Sequence, residues 1–221
     1  MKKGKFIVFD GGEGSGKTTQ LELAAKWLYA HQIPTWSTRE PGGTKLGQQL
    51  REILLHDQEV SPIAELLLYQ ADRAQHVLEI KKRLHYGIWV LCDRFTLSTL
   101  AYQGAGRYQP TKMIEQLNEI SAQGLEPDWT FLLDIDPAIG LTRKGHQQAL
   151  DKFEQEAISF HQRVRECYLE IAHHTLLDYT IICAQQGIES VSAPIHYVLS
   201  NLAGVPITPA TKPSDAHLLC I

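Results

Sequence analysis

Residues 11–18 read Gly-Gly-Glu-Gly-Ser-Gly-Lys-Thr and directly follow the apolar run Phe6-Ile7-Val8-Phe9. The spacing Gly11-x-x-x-x-Gly16-Lys17-Thr18, set between a strand and a helix, is that of a phosphate-binding loop. Glycines let successive backbone N–H groups turn inward around an anion. A helix beginning near Lys17 points its positive end at the same place. Lys17 is expected to reach the outer phosphates of a nucleoside triphosphate, and the Thr18 hydroxyl to hold Mg2+. A plain glycine-rich turn would not explain Lys-Thr at the helix start.

The rest of the chain alternates in the same manner. Apolar strands are expected over Phe6–Asp10, Thr35–Arg39, Ile88–Asp93, Thr130–Ile135 and Tyr179–Cys183. Helices are expected over about 17–32, 45–56, 62–86, 110–123, 150–175 and 188–202. Strand–helix alternation predicts parallel βαβ units and a doubly wound sheet. Right-handed crossovers then bring the ligand loops to the carboxyl ends of the strands. The unusual polar clusters fall there, after Asp10, Thr38, Cys92 and Leu133. The fold class expected is α/β, a P-loop NTPase three-layer sandwich with a five-stranded parallel sheet flanked by helices. One domain is expected over 1–203, and 204–221, with Pro206, Pro209 and Pro213, reads as a flexible extension.

Composition narrows the partners. A net charge of −4 argues against a surface that coats nucleic acid, so cations for phosphate must be concentrated locally. No apolar run approaches the ~18 residues that span a bilayer, and Phe6–Phe9 is too short for a signal-peptide core. A cytoplasmic protein without a membrane partner is expected. The four cysteines, 92, 167, 183 and 220, have no paired spacing and read as buried or free thiols of a reducing compartment. The ten histidines lack metal-ligand spacing and read as structural or solvated.

A second cluster suits another phosphate. Asp93 ends the third strand beside the loop, where a carboxylate serves Mg2+, and Arg94 offers a planar fork to a phosphate. Tyr69 and Arg73, four apart, share a face of the long helix. Tyr69 either stacks on a base while Arg73 bonds its edge, or packs in the core; spacing leaves both open. Ile63, Leu67, Ala74 and Val77 are expected to form that helix's core-facing stripe. Glu13 is odd beside polyphosphate and suits a sugar hydroxyl, a metal or solvent. Arg51, two turns into the helix after strand two and four residues from Gly47, faces either the cleft or water.

Together these pieces resemble the thymidylate kinase family of P-loop nucleoside monophosphate kinases. The carriers are the phosphate loop with Thr19, Thr38-Arg39-Glu40-Pro41-Gly42-Gly43-Thr44, Ala71-Asp72-Arg73-Ala74-Gln75-His76, Asp93-Arg94-Phe95 with Ser98-Thr99-Leu100-Ala101-Tyr102-Gln103-Gly104, and Leu133-Asp134-Ile135-Asp136-Pro137. The resemblance implies Mg2+-dependent transfer of the ATP γ-phosphoryl group to dTMP, giving ADP and dTDP for dTTP synthesis, in a homodimer. It assigns Gly11, Gly12, Glu13, Gly14, Ser15, Gly16, Lys17, Thr18 and Thr19 to ATP. It gives Arg94 and Arg51 to the dTMP phosphate, with Glu40 also on the acceptor side. Tyr69, Arg73, Thr99 and Gln103 are implied at the base, and Tyr102 where a ribose 2′-hydroxyl would crowd. Glu13 would face the 3′-hydroxyl or metal. Asp93 and Thr18 would serve Mg2+, with Lys17, Asp93, Arg94 and Arg143 catalytic.

The chain departs from the family pattern in three places. Tyr69 stands where Phe is common, and Phe95 where Tyr is common. The lid, about 138–154, holds only Arg143, Lys144 and Lys152 as cations. An arginine finger is worth roughly a thousandfold or more in rate, and Arg143 is expected to take that role for ATP, assisted by Lys144 or Lys152. Gln185-Gln186-Gly187 is expected near adenine. A kinase for a different nucleoside or nucleotide, and a nucleotide-binding protein with little catalysis, are the rival readings.

Overall fold

The computed structural model describes residues 3–56, 59–145, 151–174 and 178–206. Its centre is an all-parallel sheet of β1 (Phe6–Gly11), β2 (Thr35–Arg39), β3 (Trp89–Asp93), β4 (Trp129–Asp134) and β5 (Tyr179–Cys183), in the order β2-β3-β1-β4-β5. Each strand agrees with its sequence expectation to within a residue at either end. β1 is wholly buried and pairs with β3 on one side and β4 on the other, Phe9 lying opposite Asp93 and Phe131. Strand order reverses across β1, which opens a crevice beyond its carboxyl end, where the phosphate loop sits.

Side chains alternate across the strands, so each face of β1 meets a different helical layer. Ile7 and Phe9 pack with Leu91, Phe131 and Ile182 under α1 (Lys17–Ala30) and α8 (Ile188–Ala203). Phe6 and Val8 pack with Val90 and Cys92 under α3 (Pro62–His85), beside α5 (Thr111–Ala122). α2 (Lys45–His56) packs on α3. α7 (Ile158–His174) brings Phe160, Val164 and Tyr168 against Leu132 and the segment after β3. That segment is a one-turn α4 (Thr96–Thr99) running into a π-helix over Leu100–Gly106, a form the sequence did not disclose. Arg163 of α7 donates to two of its carbonyls, Ala105 O at 3.1 Å and Gly106 O at 3.0 Å.

Two expectations are corrected. The core-facing stripe of α3 is rotated by about one residue, or ~100°. Leu66, Gln70, Arg73, Ile80 and Leu84 face inward beside Val77, which was expected there, whereas Ile63 and Leu67 are 45% and 50% exposed. Apolar periodicity misled because buried polar residues occupy the inward face. The helix expected over 150–175 begins only at Ile158: the Asp151 carboxylate accepts from the N–H groups of Phe153 and Glu154, holding a turn there. The lid region instead starts with α6 (Pro137–Gly145), capped by Asp136. Cys92 and Cys167 are free thiols, as the sequence reading expects, and Cys220 lies outside the described residues. Among the described residues no helix is long and apolar enough to cross a membrane. Residues 146–150 of the lid and 207–221 of the expected extension lie outside the described residues.

Candidate active site

The phosphate loop takes its shape from glycine where no side chain fits. Gly14 has φ +67°, and a Cβ there would lie 2.0 Å from Gly140 O of α6. Gly16, at φ +85°, caps α1, so the first N–H groups of that helix face the cavity. Lys17 curls back over the loop, its Nζ donating to Gly11 O at 3.0 Å and Gly12 O at 2.8 Å. Burial, then the nearby Arg94, lower its pKa to about 8, against the opposing pull of Glu13, Asp93 and Asp10. Thr18 Oγ1 donates to Asp93 Oδ2 at 3.0 Å, joining loop and β3 end.

Arg94 organises the second half. Its backbone has φ +72°, a left-handed conformation uncommon for a residue with a side chain, and its N–H donates to Phe9 O at 2.9 Å. The guanidinium lies over the Tyr102 ring, 4.6 Å from its centre. Nη2 donates to Glu13 Oε1 at 2.5 Å and to Tyr102 OH at 2.9 Å, and Nη1 to Gly11 O at 3.0 Å. Tyr102 OH donates to Glu13 at 2.7 Å. Burial would raise the Glu13 carboxyl, but Arg94, Lys17 and the Tyr102 hydroxyl outweigh it and hold it at about 2. The carboxylate in the phosphate loop is thus neutralised by the arginine of the second cluster.

Behind Arg94 stand Asp10, Ser98 and Tyr168, none of which the sequence reading gives a role. Asp10 is fully buried and accepts from Ser98 Oγ at 2.5 Å and Tyr168 OH at 3.2 Å. Ser98 and Tyr168 each lie 3.2 Å from Arg94 Nη1. Burial raises the Asp10 carboxyl, opposed by Ser98, Arg94 and Lys17. Asp10 ends an apolar strand, a legible position; Tyr168 is 74 residues from Arg94 and had no local signal.

Arg73 is 2% exposed and all its donor positions are engaged. Nε donates to Glu40 Oε2 at 2.8 Å, Nη1 to Asn118 Oδ1 at 2.7 Å and Gln70 Oε1 at 3.3 Å, and Nη2 to Thr99 Oγ1 at 2.9 Å and Phe95 O at 3.1 Å. Glu40 also pairs with His76 Nδ1 at 3.0 Å, stapling the turn after β2 to α3. Arg51 donates to Pro41 O at 2.9 Å. Tyr69 meets Phe153 edge-on, ring centres 6.3 Å apart. Phe153, another residue without a sequence signal, also packs on Tyr102.

The lid cations differ in their partners. Lys144 pairs with Glu154 at 3.0 Å and Lys152 with Glu65 at 3.1 Å. Arg143 bonds neutral oxygens at the β5 end, Ala184 O at 2.9 Å and Gln185 O at 3.4 Å.

One cavity of about 530 Å³ runs through all of this. Glu13 to Gln20, Arg143 and Gln186 line one part, and Arg51, Tyr69, Arg73, Tyr102 and Gln103 another, with Asp93 and Arg94 also on its wall. Thr99, bonded to Arg73, is not among the lining residues. Asp93 and Thr18 supply the hard oxygen donors that suit Mg2+, which relies on one or two carboxylates plus substrate phosphates. Among the described residues there is no cluster of three or more His, Cys, Asp or Glu that would enclose a metal alone.

A protein-family model described as thymidylate kinase matches residues 9–195. Similar curated proteins include the thymidylate kinase of a Nostoc species, 48% identical over 202 residues, covering 89% of this chain and 96% of the relative. That of Nostoc punctiforme is 53% identical over 174 residues, covering 76% and 82%. That of Carboxydothermus hydrogenoformans is 49% identical over 172 residues, covering 77% and 85%.

Proposed function

Because this chain belongs to the thymidylate kinase family, we propose that it transfers the γ-phosphoryl group of ATP to dTMP, forming ADP and dTDP. The observation that carries this reading is the single cavity with a phosphate loop in one part and the Arg94, Arg51 and Tyr69 set in another. A phosphate oxygen of dTMP attacks the γ-phosphorus while the bond to the β,γ-bridging oxygen breaks, and ADP leaves with that electron pair. The attacking oxygen is already anionic, so no strong base is required. The barrier lies in bringing two anions together in line.

The residues divide that work. The loop amides and Lys17 cradle the ATP phosphates, and Arg94 with Arg51 meets the dTMP phosphate. Tyr69 offers its ring to the base, and Tyr102 crowds the sugar. Asp93 and Thr18 would hold Mg2+, which when bound offsets charge on the phosphates. Arg143 takes the role at the transferring group: Lys144 and Lys152 are paired with carboxylates, whereas among the described residues Arg143 bonds carbonyl oxygens. Arg73 and Glu40 build the wall of the acceptor chamber.

A homodimer is proposed through the exposed apolar face of Ile63, Leu67 and Leu78 on α3 with Leu46 and Ile53 on α2; sedimentation as a monomer at micromolar concentration would contradict it. The location proposed is the cytoplasm, where both nucleotides are available.

A coupled ADP-release assay across dTMP, dUMP, dCMP, dGMP and thymidine tests the reading. Preference for dTMP is expected, and Arg143→Ala should slow turnover with every acceptor. Preference for another acceptor overturns the substrate, and tight binding without single-turnover transfer overturns the reaction.

A further inference from the structure

Glu65 stands in the first turn of α3, 1% exposed, and three donors converge on its carboxylate. Oε1 accepts from Gln103 Nε2 at 3.1 Å and from Arg107 Nε at 3.4 Å, and Oε2 from Lys152 Nζ at 3.1 Å. Arg107 also pairs with Glu156, so the turn carrying Lys152 and Phe153 is tied to the same group from both ends. None of these contacts is spent on a phosphate. We propose that Glu65 is a positioning residue for acceptor choice: it fixes which end of the Gln103 amide faces the cavity. The proposal rests on the acceptor chamber described above.

The chemistry runs in one direction. An ionised carboxylate accepts hydrogen bonds and donates none. Glu65 is ion-paired at both oxygens, with Arg107 at Oε1 and Lys152 at Oε2. Gln103 must therefore turn its NH2 toward Glu65, which leaves its carbonyl oxygen as the polar function offered to the cavity that it lines. An amide free to flip would offer donor or acceptor alike; this one is held. A carbonyl oxygen pairs with a ring N–H and is repelled by a ring nitrogen lone pair. Neutral thymine has a hydrogen on N3, and cytosine has a lone pair there. The fixed amide selects the first base and leaves the second with two acceptors face to face in a buried site, the kind of mismatch that discriminates strongly. Lys152 belongs to the turn at the end of the lid, so the orientation of the amide depends on that turn being in place.

The test measures kcat/KM for dTMP and dCMP with the full chain. In Glu65→Gln, Lys152 takes the new side-chain oxygen and leaves its NH2 toward Gln103, which then rotates. The dTMP-to-dCMP ratio is expected to fall at least about tenfold, a modest share of what a polar mismatch delivers, while the KM for ATP stays within about twofold. Glu65→Asp keeps the charge against Lys152 and Arg107 but withdraws it from Gln103, so it carries the same test if the first variant does not fold. Gln103→Leu should lower the ratio by a similar factor. A ratio within twofold of the parent in the folded Glu65 variants overturns the proposal. A parent enzyme that does not prefer dTMP to dCMP overturns the chamber reading itself, and the role of Glu65 with it.

Discussion

Arg94→Ala should lower kcat/KM for dTMP phosphorylation by about 10³. Two losses combine. The acceptor phosphate would lose the fork proposed to meet it, and Glu13, held at about 2 largely by Arg94, is left as an uncompensated carboxylate beside a second anion. Two unit charges ~4 Å apart at an effective dielectric near 20 interact by about 4 kcal/mol, and about 1.4 kcal/mol is tenfold in rate, which gives the factor. Adding Glu13→Gln should recover about tenfold of it by removing the stranded charge, the partial recovery expected of coupled neighbours. Arg94→Lys should fall between, since an ammonium keeps the charge but cannot reach Glu13, Tyr102 and Gly11 together. Steady-state kinetics on the three variants decide it. A loss below tenfold for Arg94→Ala would remove Arg94 from the reacting phosphates.

The second large effect is on stability. Arg73→Ala should destabilise by about 3–5 kcal/mol, the range for breaking a buried ion pair from one side. At about 2–4 °C per kcal/mol for a chain of this size, Tm should fall by roughly 10 °C. The reason is the accounting at its guanidinium: Glu40, Gln70, Asn118 and Thr99 all receive from it, and the Phe95 ring lies 5.2 Å below. Its removal leaves the buried Glu40 carboxylate with only its His76 contact among the described residues, between the turn after β2 and α3. Thermal unfolding is the measurement. If Tm moves by less than about 2 °C while the KM for dTMP rises steeply, Arg73 serves the base edge rather than the wall.

Much of this was legible in the sequence. The five apolar runs gave β1 to β5 because buried parallel strands read as continuous hydrophobic stretches. The phosphate loop and Asp93-Arg94 were legible because their signals are local. What escaped depends on distance or on polar burial. The phase of α3 was misread because Gln70, Arg73 and His76 fill its inward face with satisfied polar groups, and hydropathy counts those as exterior. Tyr168, Phe153 and Glu65 act on residues many turns away in the chain, and no spacing rule reaches them. The π-helix escaped because its widened turn is stabilised by Arg163, far along in α7. The Asp151 turn was hidden inside a helical pattern it interrupts.

The phosphate loop and α6 meet where Gly14 closely approaches Gly140. A single methyl group at either position would collide with backbone, 2.0 Å from Gly140 O in one case and 2.2 Å from Glu13 O in the other. The middle of α6 is therefore pressed onto the phosphate loop, backbone against backbone. A side chain at either glycine is thus expected to displace both segments together.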